Sequence, residues 1–420
     1  MIRSVRGVKD ILPDQTPAWR KVEATAHALA IRYGFQEIRI PLFEQTELFA
    51  RSIGTATDIV EKEMYTFLDR DGTSLSLRPE GTAGVVRAYL EHNFSSRSPV
   101  TKLYYLGPMF RYERPQAGRF RQFHQFGVEA FGTDDPLMDV EVISLLWRFF
   151  HTLGISGLTL IINSLGTIAE RQAYSEALRQ SLSARHADLC HNCQRRLVSN
   201  PLRILDCKVE TCTHITRQAP VITDFLSPDS SSHFRKVQDG LDLLEIPYVP
   251  NPYLVRGLDY YTRTTFEITA SSLGAQNAIG AGGRYDGLVE LLGGPPTPAV
   301  GFAAGLERIL LLLPPESIPA PAPLVFVAAF GEKGRIAGFQ LLEKLRIHGF
   351  TADTDYRAAS LKALLRSAHR RSATYTIIIG DDEASAHSVI LRNMAEKTQE
   401  YLPISSLIDR LRNLVELSRF

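Results

Sequence analysis

The feature that most constrains the fold of this chain is the segment from Tyr104 to Phe131, which predicts two β-strands joined by a basic loop. Its sequence is YYLGPMFRYERPQAGRFRQFHQFGVEAF. Aromatic and β-branched residues flank a tip that contains Pro115 and Gly118, and this pattern is typical of a hairpin with a longer loop. The two arms are therefore expected to pair with each other in one sheet.

One face of the predicted hairpin is polar. Because side chains alternate between the two faces of a strand, Arg111 and Glu113 share a face of the first arm. On the second arm the same rule places on one face Arg121, Phe123, Gln125, Gly127 and Glu129. Arginines, carboxylates, an amide and an aromatic ring make a poor core and a good ligand platform. The alternative is a solvated sheet face with scattered salt bridges.

Length and composition indicate an ordinary globular protein with more than one domain. A chain of 420 residues exceeds one typical core, and 44% hydrophobic with 22% charged residues is an average composition. The net charge of +1 means that a nucleic-acid ligand would have to bind local basic patches. The N-terminus resembles no secretory signal, and no apolar run reaches the roughly 20 residues that span a bilayer. We expect a cytoplasmic protein without membrane segments.

Changes in composition predict the domain organisation. Residues 1–169 and 246–315 are rich in strands and glycines, and a polar, helical insertion separates them at 170–245. The run PPESIPAPAP has five prolines in ten residues, which is typical of a stiff linker, and we assign the linker to residues 316–323. After it, strands and helices alternate as in a compact α/β domain at 324–420.

All four cysteines of the chain lie in the predicted insertion. Cys190, Cys193, Cys207 and Cys212 follow the spacing C-x2-C, thirteen residues, C-x4-C. Such clustering is the sequence form of a tetrahedral thiolate site for zinc. The alternative is a set of reduced, partly buried thiols that behave as small hydrophobic residues. Both interpretations remain open, because the second pair is more widely spaced than in the usual knuckle.

The segment RPEGT at 78–82 is predicted to begin a helix. A turn at Asp71-Gly72 joins two predicted strands before it. Glu80 and Thr82 then lie at the predicted N-terminus, where capping side chains are usual. Helix capping is therefore the alternative to a binding role for Thr82.

Three further stretches follow the insertion. Residues 254–268 predict a pair of strands, with Arg256 and two tyrosines around the turn. Residues 278–292 contain four glycines within ten residues, which permits close approach of the backbone to a ligand, although they match neither common nucleotide-binding fingerprint. Residues 299–313 predict a strand that leads into a helix, with Arg308 near the helix start. An ordinary surface position is the alternative for this arginine.

Together these segments closely resemble the histidyl-tRNA synthetases, a family of class II aminoacyl-tRNA synthetases. The resemblance covers nearly the whole chain, and RGLDYY together with GAGGRYDGL is its most specific part. It implies an α+β catalytic domain, with an antiparallel sheet flanked by helices, an inserted helical subdomain and a C-terminal α/β anticodon-binding domain. The matching motifs are RPEGT at 78–82, FRYERPQAGRFRQFHQFGVE at 110–129, RGLDYY at 256–261, GAGGRYDGL at 280–288 and GFAAGLER at 301–308.

The resemblance also implies an activity. Such an enzyme activates L-histidine with ATP and Mg2+ to histidyl-adenylate and diphosphate, transfers histidine to the terminal ribose of tRNA(His), releases AMP, and works as a homodimer. A non-catalytic regulatory subunit of ATP phosphoribosyltransferase, which shares the catalytic fold, is the alternative. Such subunits generally lack the anticodon-binding domain and parts of the histidine and ATP motifs, and this chain retains both. A nucleic-acid-binding scaffold without chemistry would not explain the tyrosines and carboxylates.

Individual roles follow from the resemblance. Arg111 and Arg256 would contact the α-phosphate from opposite sides, since guanidinium groups donate paired hydrogen bonds to phosphate. A structural salt bridge with Asp259 or Glu267 is the alternative for Arg256. The expected ATP-binding residues are Arg111, Glu113, Arg119, Phe123 and Arg308. The expected histidine-binding residues are Glu80, Gly81, Thr82, Arg111, Gln125, Glu129, Arg256, Tyr260, Tyr261 and Tyr285.

Two regions are expected to contact tRNA. Arg114 and Gln116, at the tip of the hairpin, would face the first base pairs of the acceptor stem. In the last domain, a basic run fits a predicted helix face that could meet phosphates, and a solvated face is the alternative. Its members are Lys362, Arg366, Arg370 and Arg371.

Overall fold

The computed structural model describes residues 2–54, 57–274, 277–320, 322–357 and 360–417. The chain divides into two compact units, one that ends at Pro319 and one that begins at Ala320. This division falls within the predicted linker, of which Pro321 lies outside the described residues. Within the described part of the chain, no helix is both long and apolar enough to cross a membrane.

The first unit is built on a mixed, mainly antiparallel sheet. Its strands are β1 (Gln36–Glu37), β2 (Phe43–Gln45), β3 (Thr66–Leu68), β4 (Ser74–Leu77), β5 (Thr101–Phe110), β6 (Gln122–Phe131), β7 (Leu158–Ser164), β8 (Tyr248–Pro250), β9 (Thr262–Ala270), β10 (Ala278–Arg284) and β11 (Ala299–Gly305). Its helices are α1 (Thr16–Arg32), α2 (Thr46–Ile53), α3 (Thr82–Glu91), α4 (Pro136–Thr152), α5 (Ile168–Ser183), α6 (His191–Ser199), α7 (Glu210–Thr216), α8 (Pro228–Leu243), α9 (Leu288–Leu291) and α10 (Leu306–Leu312).

The predicted hairpin lies inside the main sheet, whose strand order is β1-β5-β6-β11-β10-β9-β7-β8. Strands β5 and β6 pair antiparallel along their full length, from Thr101 opposite Phe131 to Phe110 opposite Gln122. The prediction of two strands joined by a longer loop is confirmed. Only β1·β5 and β7·β8 are parallel pairs in this sheet as described. Strands β2, β4 and β3 form a separate small sheet that leads into α3.

One face of the main sheet is covered by helices, and this fixes which side chains point away from them. Phe126, Val128 and Ala130 of β6 are buried in a core shared with α1, α4, α8 and α10. Since side chains alternate along a strand, Gln125, Gly127 and Glu129 are left on the other face. The polar face of the hairpin is thus a consequence of where the apolar residues are buried.

The predicted pair of strands at 254–268 is wrong. Only β9 is a strand there, while residues 251–261, all of which the structure describes, form neither helix nor strand. Their carbonyl groups are bound by side chains instead of by a ladder: the Asn163 side chain donates to Leu254 O, and Arg171 donates to Asp259 O and Tyr261 O. Tyr260 and Tyr261 are adjacent and both buried. The rule that successive strand residues face core and solvent in turn therefore does not describe them.

The proposed insertion at 170–245 contains two parts. Helices α5, α6 and α7 have a small core of their own, which includes Tyr174, Leu178 and Ile204. Helix α8 instead packs against α4, and its Val237 and Leu241 belong to the main core.

The second unit has a sheet of strand order β13-β12-β14-β15-β16. Strands β12, β13 and β14 are parallel and the last two are antiparallel, so the predicted alternation of strands and helices is confirmed. Its strands are β12 (Leu324–Ala329), β13 (Thr351–Asp353), β14 (Tyr375–Ile379), β15 (Ser388–Asn393) and β16 (Gln399–Pro403). Its helices are α11 (Glu332–Ile347), α12 (Leu361–Arg370), α13 (Asp381–Ser385) and α14 (Leu407–Leu417).

Candidate active site

A cavity of ≈ 310 Å³ lies on the polar face of the main sheet. It is bounded by β6, β10 and β11, by the start of α3 and by the irregular segment before β9. Of the residues expected to bind histidine or ATP, those that line the cavity are Glu80, Thr82, Arg111, Glu113, Arg119, Phe123, Gln125, Glu129, Arg256, Tyr260, Tyr261, Tyr285 and Arg308.

Four residues that the sequence placed at the site or on the polar face do not line the cavity. Gly81 precedes α3 and packs against the Tyr105 ring so closely that a Cβ atom would collide with it. Arg114 and Gln116 are exposed in the loop between β5 and β6 and do not line the cavity. Arg121, predicted on the polar face, turns outward and places its guanidinium 3.8 Å from the centre of the Tyr112 ring.

Glu129 is the most buried carboxylate in the cavity. It accepts a hydrogen bond from Thr82 Oγ1 at 2.7 Å and another from the Tyr285 hydroxyl. Burial raises the pKa of Glu129 to about 8, even though both hydrogen bonds favour the ionised form. This buried carboxyl group would gain from a hydrogen-bond donor or a cation supplied by a ligand.

Glu80 caps helix α3. Its carboxylate accepts hydrogen bonds from the backbone N–H groups of Thr82 at 2.6 Å and Ala83 at 2.9 Å. Burial nevertheless raises the pKa of Glu80. Capping is therefore performed by Glu80, whereas the Thr82 hydroxyl is directed to Glu129.

Three tyrosines form an aromatic wall. The ring centres of Tyr260 and Tyr261 are 4.8 Å apart, and those of Tyr260 and Tyr285 are 5.6 Å apart. Burial raises the pKa of all three hydroxyls, so they stay neutral and can donate hydrogen bonds. Aromatic faces combined with hydroxyl donors and a carboxyl group suit a planar heterocycle with two ring nitrogens.

Two polar atoms in the cavity wall have no hydrogen-bond partner within the described part of the protein. They are Oε1 of Gln125 and Nε of Arg256, and both are buried. An unpaired buried polar atom costs about 1–3 kcal/mol, so each of these two atoms needs a partner such as a water molecule, an ion or a ligand. The first is an acceptor and the second a donor, which suits an ammonium group and an anion, respectively.

Arginines surround the remainder of the cavity. Arg111 donates from Nε to Pro79 O at 2.8 Å and lies 5.4 Å from the centre of the Phe123 ring. Arg119 pairs with Glu113 at 2.6 Å. Arg308 donates to Ala278 O at 2.5 Å, and burial, followed by the nearby positive charge of Arg119, lowers its pKa.

Arg256 forms a salt bridge with Glu267 at 2.5 Å. The sequence offered Asp259 or Glu267 as the partner in such a salt bridge, and Asp259 instead accepts a hydrogen bond from Asn200. Burial opposes the charge, but Glu267 holds the pKa of Arg256 above its ordinary value. The salt bridge uses Nη1, and Nε has no hydrogen-bond partner among the residues that the structure describes. The ion pair and a ligand-binding role are therefore compatible.

Sequence reasoning missed one carboxylate of the cavity. Glu307 lines the cavity and accepts hydrogen bonds from the backbone and ring of His124 at 2.9–3.0 Å. Glu307 stands next to Arg308 in the predicted GLER stretch, so proximity could have identified it. Glu267 was one of two salt-bridge partners that the sequence offered for Arg256, and the structure selects it.

The four cysteines meet at one point. Their Sγ atoms all lie within 4.8 Å of one another, and Cys190 Sγ is 3.9 Å from Cys207 Sγ. The backbone N–H of Cys190 also donates to Cys212 Sγ at 3.2 Å. Burial raises the pKa of the Cys193 and Cys212 thiols. We call these four residues the cysteine cluster.

Comparison with known proteins gives a consistent picture across both units. Residues 7–309 match a family model described as histidyl-tRNA synthetase, and residues 325–414 match one described as an anticodon binding domain.

Individual relatives match over nearly their whole length. A histidine–tRNA ligase of Desulforudis audaxviator is 52% identical and is covered to 99%, with 98% of this chain aligned. The histidine–tRNA ligase of Trichlorobacter lovleyi is 50% identical, with 95% of each chain covered. A crystal structure of apo histidyl-tRNA synthetase from S. aureus superimposes with a TM-score of 0.82 at 40% identity, covering 98% of this chain and 99% of the other.

Proposed function

The chain belongs to the histidyl-tRNA synthetase family, and from this we propose that it ligates L-histidine to tRNA(His) with ATP through a histidyl-adenylate intermediate. The products would be histidyl-tRNA, AMP and diphosphate. The observation that carries the proposal is the single cavity in which Gln125, Glu129 and Arg256 meet the tyrosine wall. A regulatory subunit of ATP phosphoribosyltransferase is less well supported, because the ligases match this chain over both units.

Histidine would lie with its imidazole between the tyrosines and Glu129. The buried carboxyl group accepts from one ring nitrogen, and a tyrosine hydroxyl serves the other. The ammonium group would reach Oε1 of Gln125, which is otherwise unpaired. A wrong side chain would leave these buried groups unsatisfied, and this penalty can exclude competitors by about 10^4-fold.

Activation would begin with attack of the histidine carboxylate on the α-phosphate of ATP. A new P–O bond forms as the bond to diphosphate breaks, and Arg111 and Arg256 would stabilise the charge that develops on the α-phosphate. Arg119 and Arg308 would hold the diphosphate, and Phe123 and Arg308 would enclose the adenine. Mg2+ would neutralise the phosphates, with Glu113 as a carboxylate able to hold it in the cavity.

In the second step the terminal ribose hydroxyl of tRNA would attack the adenylate and release AMP. The exposed Arg114 and Gln116 support contact with the acceptor stem. In the second unit, a cavity lined by Lys362, Arg366 and Arg370 supports contact with the anticodon region.

A homodimer is part of the proposal. The small sheet exposes Phe43 at 52%, Phe67 at 45% and Leu68 at 70% of their surfaces. Exposed apolar residues grouped on one sheet favour an interface, and a second copy of this chain is the occupant that we propose.

We further propose a structural zinc ion at the cysteine cluster. Four thiolates within 4.8 Å suit the tetrahedral coordination that zinc prefers, with Zn–S bonds of about 2.3 Å. The ion would reverse the effect of burial by stabilising the thiolates. Free thiols also favour a cytoplasmic location.

The test is histidine-dependent exchange of labelled diphosphate into ATP by the purified protein, followed by charging of tRNA(His). Both reactions are expected with histidine and neither with other amino acids. A protein that binds tRNA but supports no exchange would overturn the proposal in favour of the non-catalytic alternatives.

A further inference from the structure

The segment that carries Arg256, Tyr260 and Tyr261 lacks regular structure, so other elements must fix its conformation. Residues 251–261, all within the described part of the chain, belong to neither a helix nor a strand. A segment without a hydrogen-bond ladder needs other partners for its backbone groups. Here they are backbone carbonyl groups, such as Ile53 O for Asp259 N–H, and side chains from other elements.

Two side chains from a short part of the insertion contact this segment, one at a side chain and one at the backbone. Asn200 donates from Nδ2 to Asp259 Oδ1 at 2.9 Å, and Arg203 donates from Nη1 to Arg256 O at 3.1 Å. Asp259 is largely withdrawn from solvent, and burial raises its pKa, so its hydrogen bonds are made in a low-dielectric environment. The Arg203 contact is made to the backbone of the very residue that we assign to the α-phosphate.

Two members of the cysteine cluster flank this part of the insertion. Cys193 lies in α6, and Cys207 lies just after the helical turn Pro201–Ile204. Asn200 and Arg203 therefore belong to the loop between these two cysteines. A metal bound by both would fix the two ends of this loop. Arg196, also in the loop, anchors it to Asp58 at 3.2 Å.

We propose that the cysteine cluster, when it holds a divalent metal, positions the segment 251–261 through Asn200 and Arg203 and thereby sets the affinity of the enzyme for histidine. This inference rests on the proposed function. Asn200 and Arg203 are positioning residues, since they touch the catalytic segment and do not line the main cavity. The expected effect on KM follows from geometry. The segment contributes two tyrosines to the histidine end, whereas, apart from the α-phosphate contact Arg256, the residues assigned to ATP lie on the hairpin and α10.

The first experiment removes the metal. Metal analysis of protein purified without chelator should find about one zinc per chain, and Cys207→Ser should lose it. Hydrogen exchange should then accelerate at residues 251–261 and stay unchanged in β5 and β6. The KM for histidine in diphosphate exchange should rise roughly tenfold, as expected for the loss of a hydrogen bond to a charged group, while the KM for ATP should change less than about twofold.

The second experiment keeps the metal and removes the contact. Arg203→Ala should raise the KM for histidine like Cys207→Ser, with full zinc content and an unchanged melting temperature. Arg195→Ala is the control, because Arg195 lies on α6, is exposed, and its side chain donates to Asn192 Oδ1 within the same helix and not to the segment 251–261. The double variant Cys207→Ser/Arg203→Ala should be no worse than either single variant, since both changes act through one path.

Each outcome has a distinct meaning. Wild-type protein with well under half an equivalent of zinc would overturn the metal site. Loss of zinc without faster hydrogen exchange at 251–261 would overturn the positioning role, even if the metal site stands. Should Cys207→Ser fail to fold, chelation of the wild-type protein and re-addition of zinc must reproduce and reverse the same changes, or the proposal is wrong. If loss of zinc accelerates hydrogen exchange at 251–261 but the wild-type protein supports no diphosphate exchange, the positioning role would stand and the proposed function would be refuted.

Discussion

Arg256 combines a salt bridge with an unpaired donor, and these two features predict different results on mutation. If the guanidinium stabilises the developing charge on the α-phosphate, Arg256→Ala should slow activation by about 10^2–10^3, or roughly 3–4 kcal/mol, without unfolding the protein. Transfer of histidine from preformed adenylate should be much less affected. Single-turnover measurements of the two steps provide the check.

Glu267→Gln is the control for that prediction. It weakens the 2.5 Å ion pair but retains the positive charge of Arg256 in the cavity. A purely structural arginine would make both variants equally slow in both steps and equally low in melting temperature, which would refute the assignment of Arg256 to the α-phosphate.

The carboxyl group of Glu129 predicts a pH-dependent stability. Its pKa is raised from 4.5 to about 8, so the folded state binds this proton more tightly than the unfolded chain. Stability from this group is therefore greatest at low pH and falls as the pH rises toward 8. Glu129→Gln removes the ionisation. Its melting temperature relative to wild type should increase from about pH 5 to about pH 9, by at least about 2 °C.

The same substitution should raise the KM for histidine, because an amide cannot hold a cationic or donating imidazole as strongly as a carboxylate. A melting-temperature difference that stays constant with pH would show that Glu129 ionises normally in the fold. Burial raises the pKa of Glu80 as well, and the charge of Glu80 helps to raise the pKa of Glu129, so the comparison reports the titration of the coupled pair.

Among the elements, β11 packs closely against Glu129 on the neighbouring strand β6. A Cβ atom on Gly301 would collide with the Glu129 carboxylate and with the carbonyl oxygen of Val128 on the adjacent strand β6. Gly301→Ala should therefore displace Glu129, raise the KM for histidine by about tenfold or more and lower the melting temperature. Steady-state kinetics and thermal denaturation measure the two effects.

Gly305→Ala is the control for stability at the end of the same strand, since a Cβ atom there would meet no described protein atom within 4 Å, although Gly305 lines the cavity. It should leave the melting temperature unchanged. If both glycine variants behaved alike, the loss would reflect strand flexibility and not the contact with Glu129.

For the whole molecule, the two compact units predict separable activities. A protein that ends at Pro319 retains the main core and every residue assigned to histidine and ATP. It should support diphosphate exchange at a rate close to that of the full chain but charge tRNA with a strongly raised KM, because the basic surface of the second unit is absent. Unchanged charging of full-length tRNA would refute an anticodon-binding role for the second unit.

The local pattern of apolar and polar residues predicted most strands and helices. It gave a wrong prediction at 254–268, where the backbone is irregular and the residues do not alternate. The hairpin followed from strand alternation and turn residues, and alternation also predicted that Gln125 and Glu129 share a face. The segment around Arg256 contains buried tyrosines, and these suggested a strand. The segment does not pair with a neighbouring strand, so no strand forms there. Nothing in sequence spacing connects it to Arg203 or Asn200, which are 53 and 59 residues from their partners.

The sequence by itself therefore determined which chemistry the molecule can perform, because arginines, carboxylates and tyrosines keep their donors and acceptors in any fold. Tertiary structure alone decided how those groups act. It brought Thr82 and Tyr285 to Glu129 across 47 and 156 residues, and it left Arg256 Nε unpaired. It also raised the pKa of Glu129 to about 8. Desolvation depends on all the atoms packed around a group, and these are assembled only when distant parts of the chain meet.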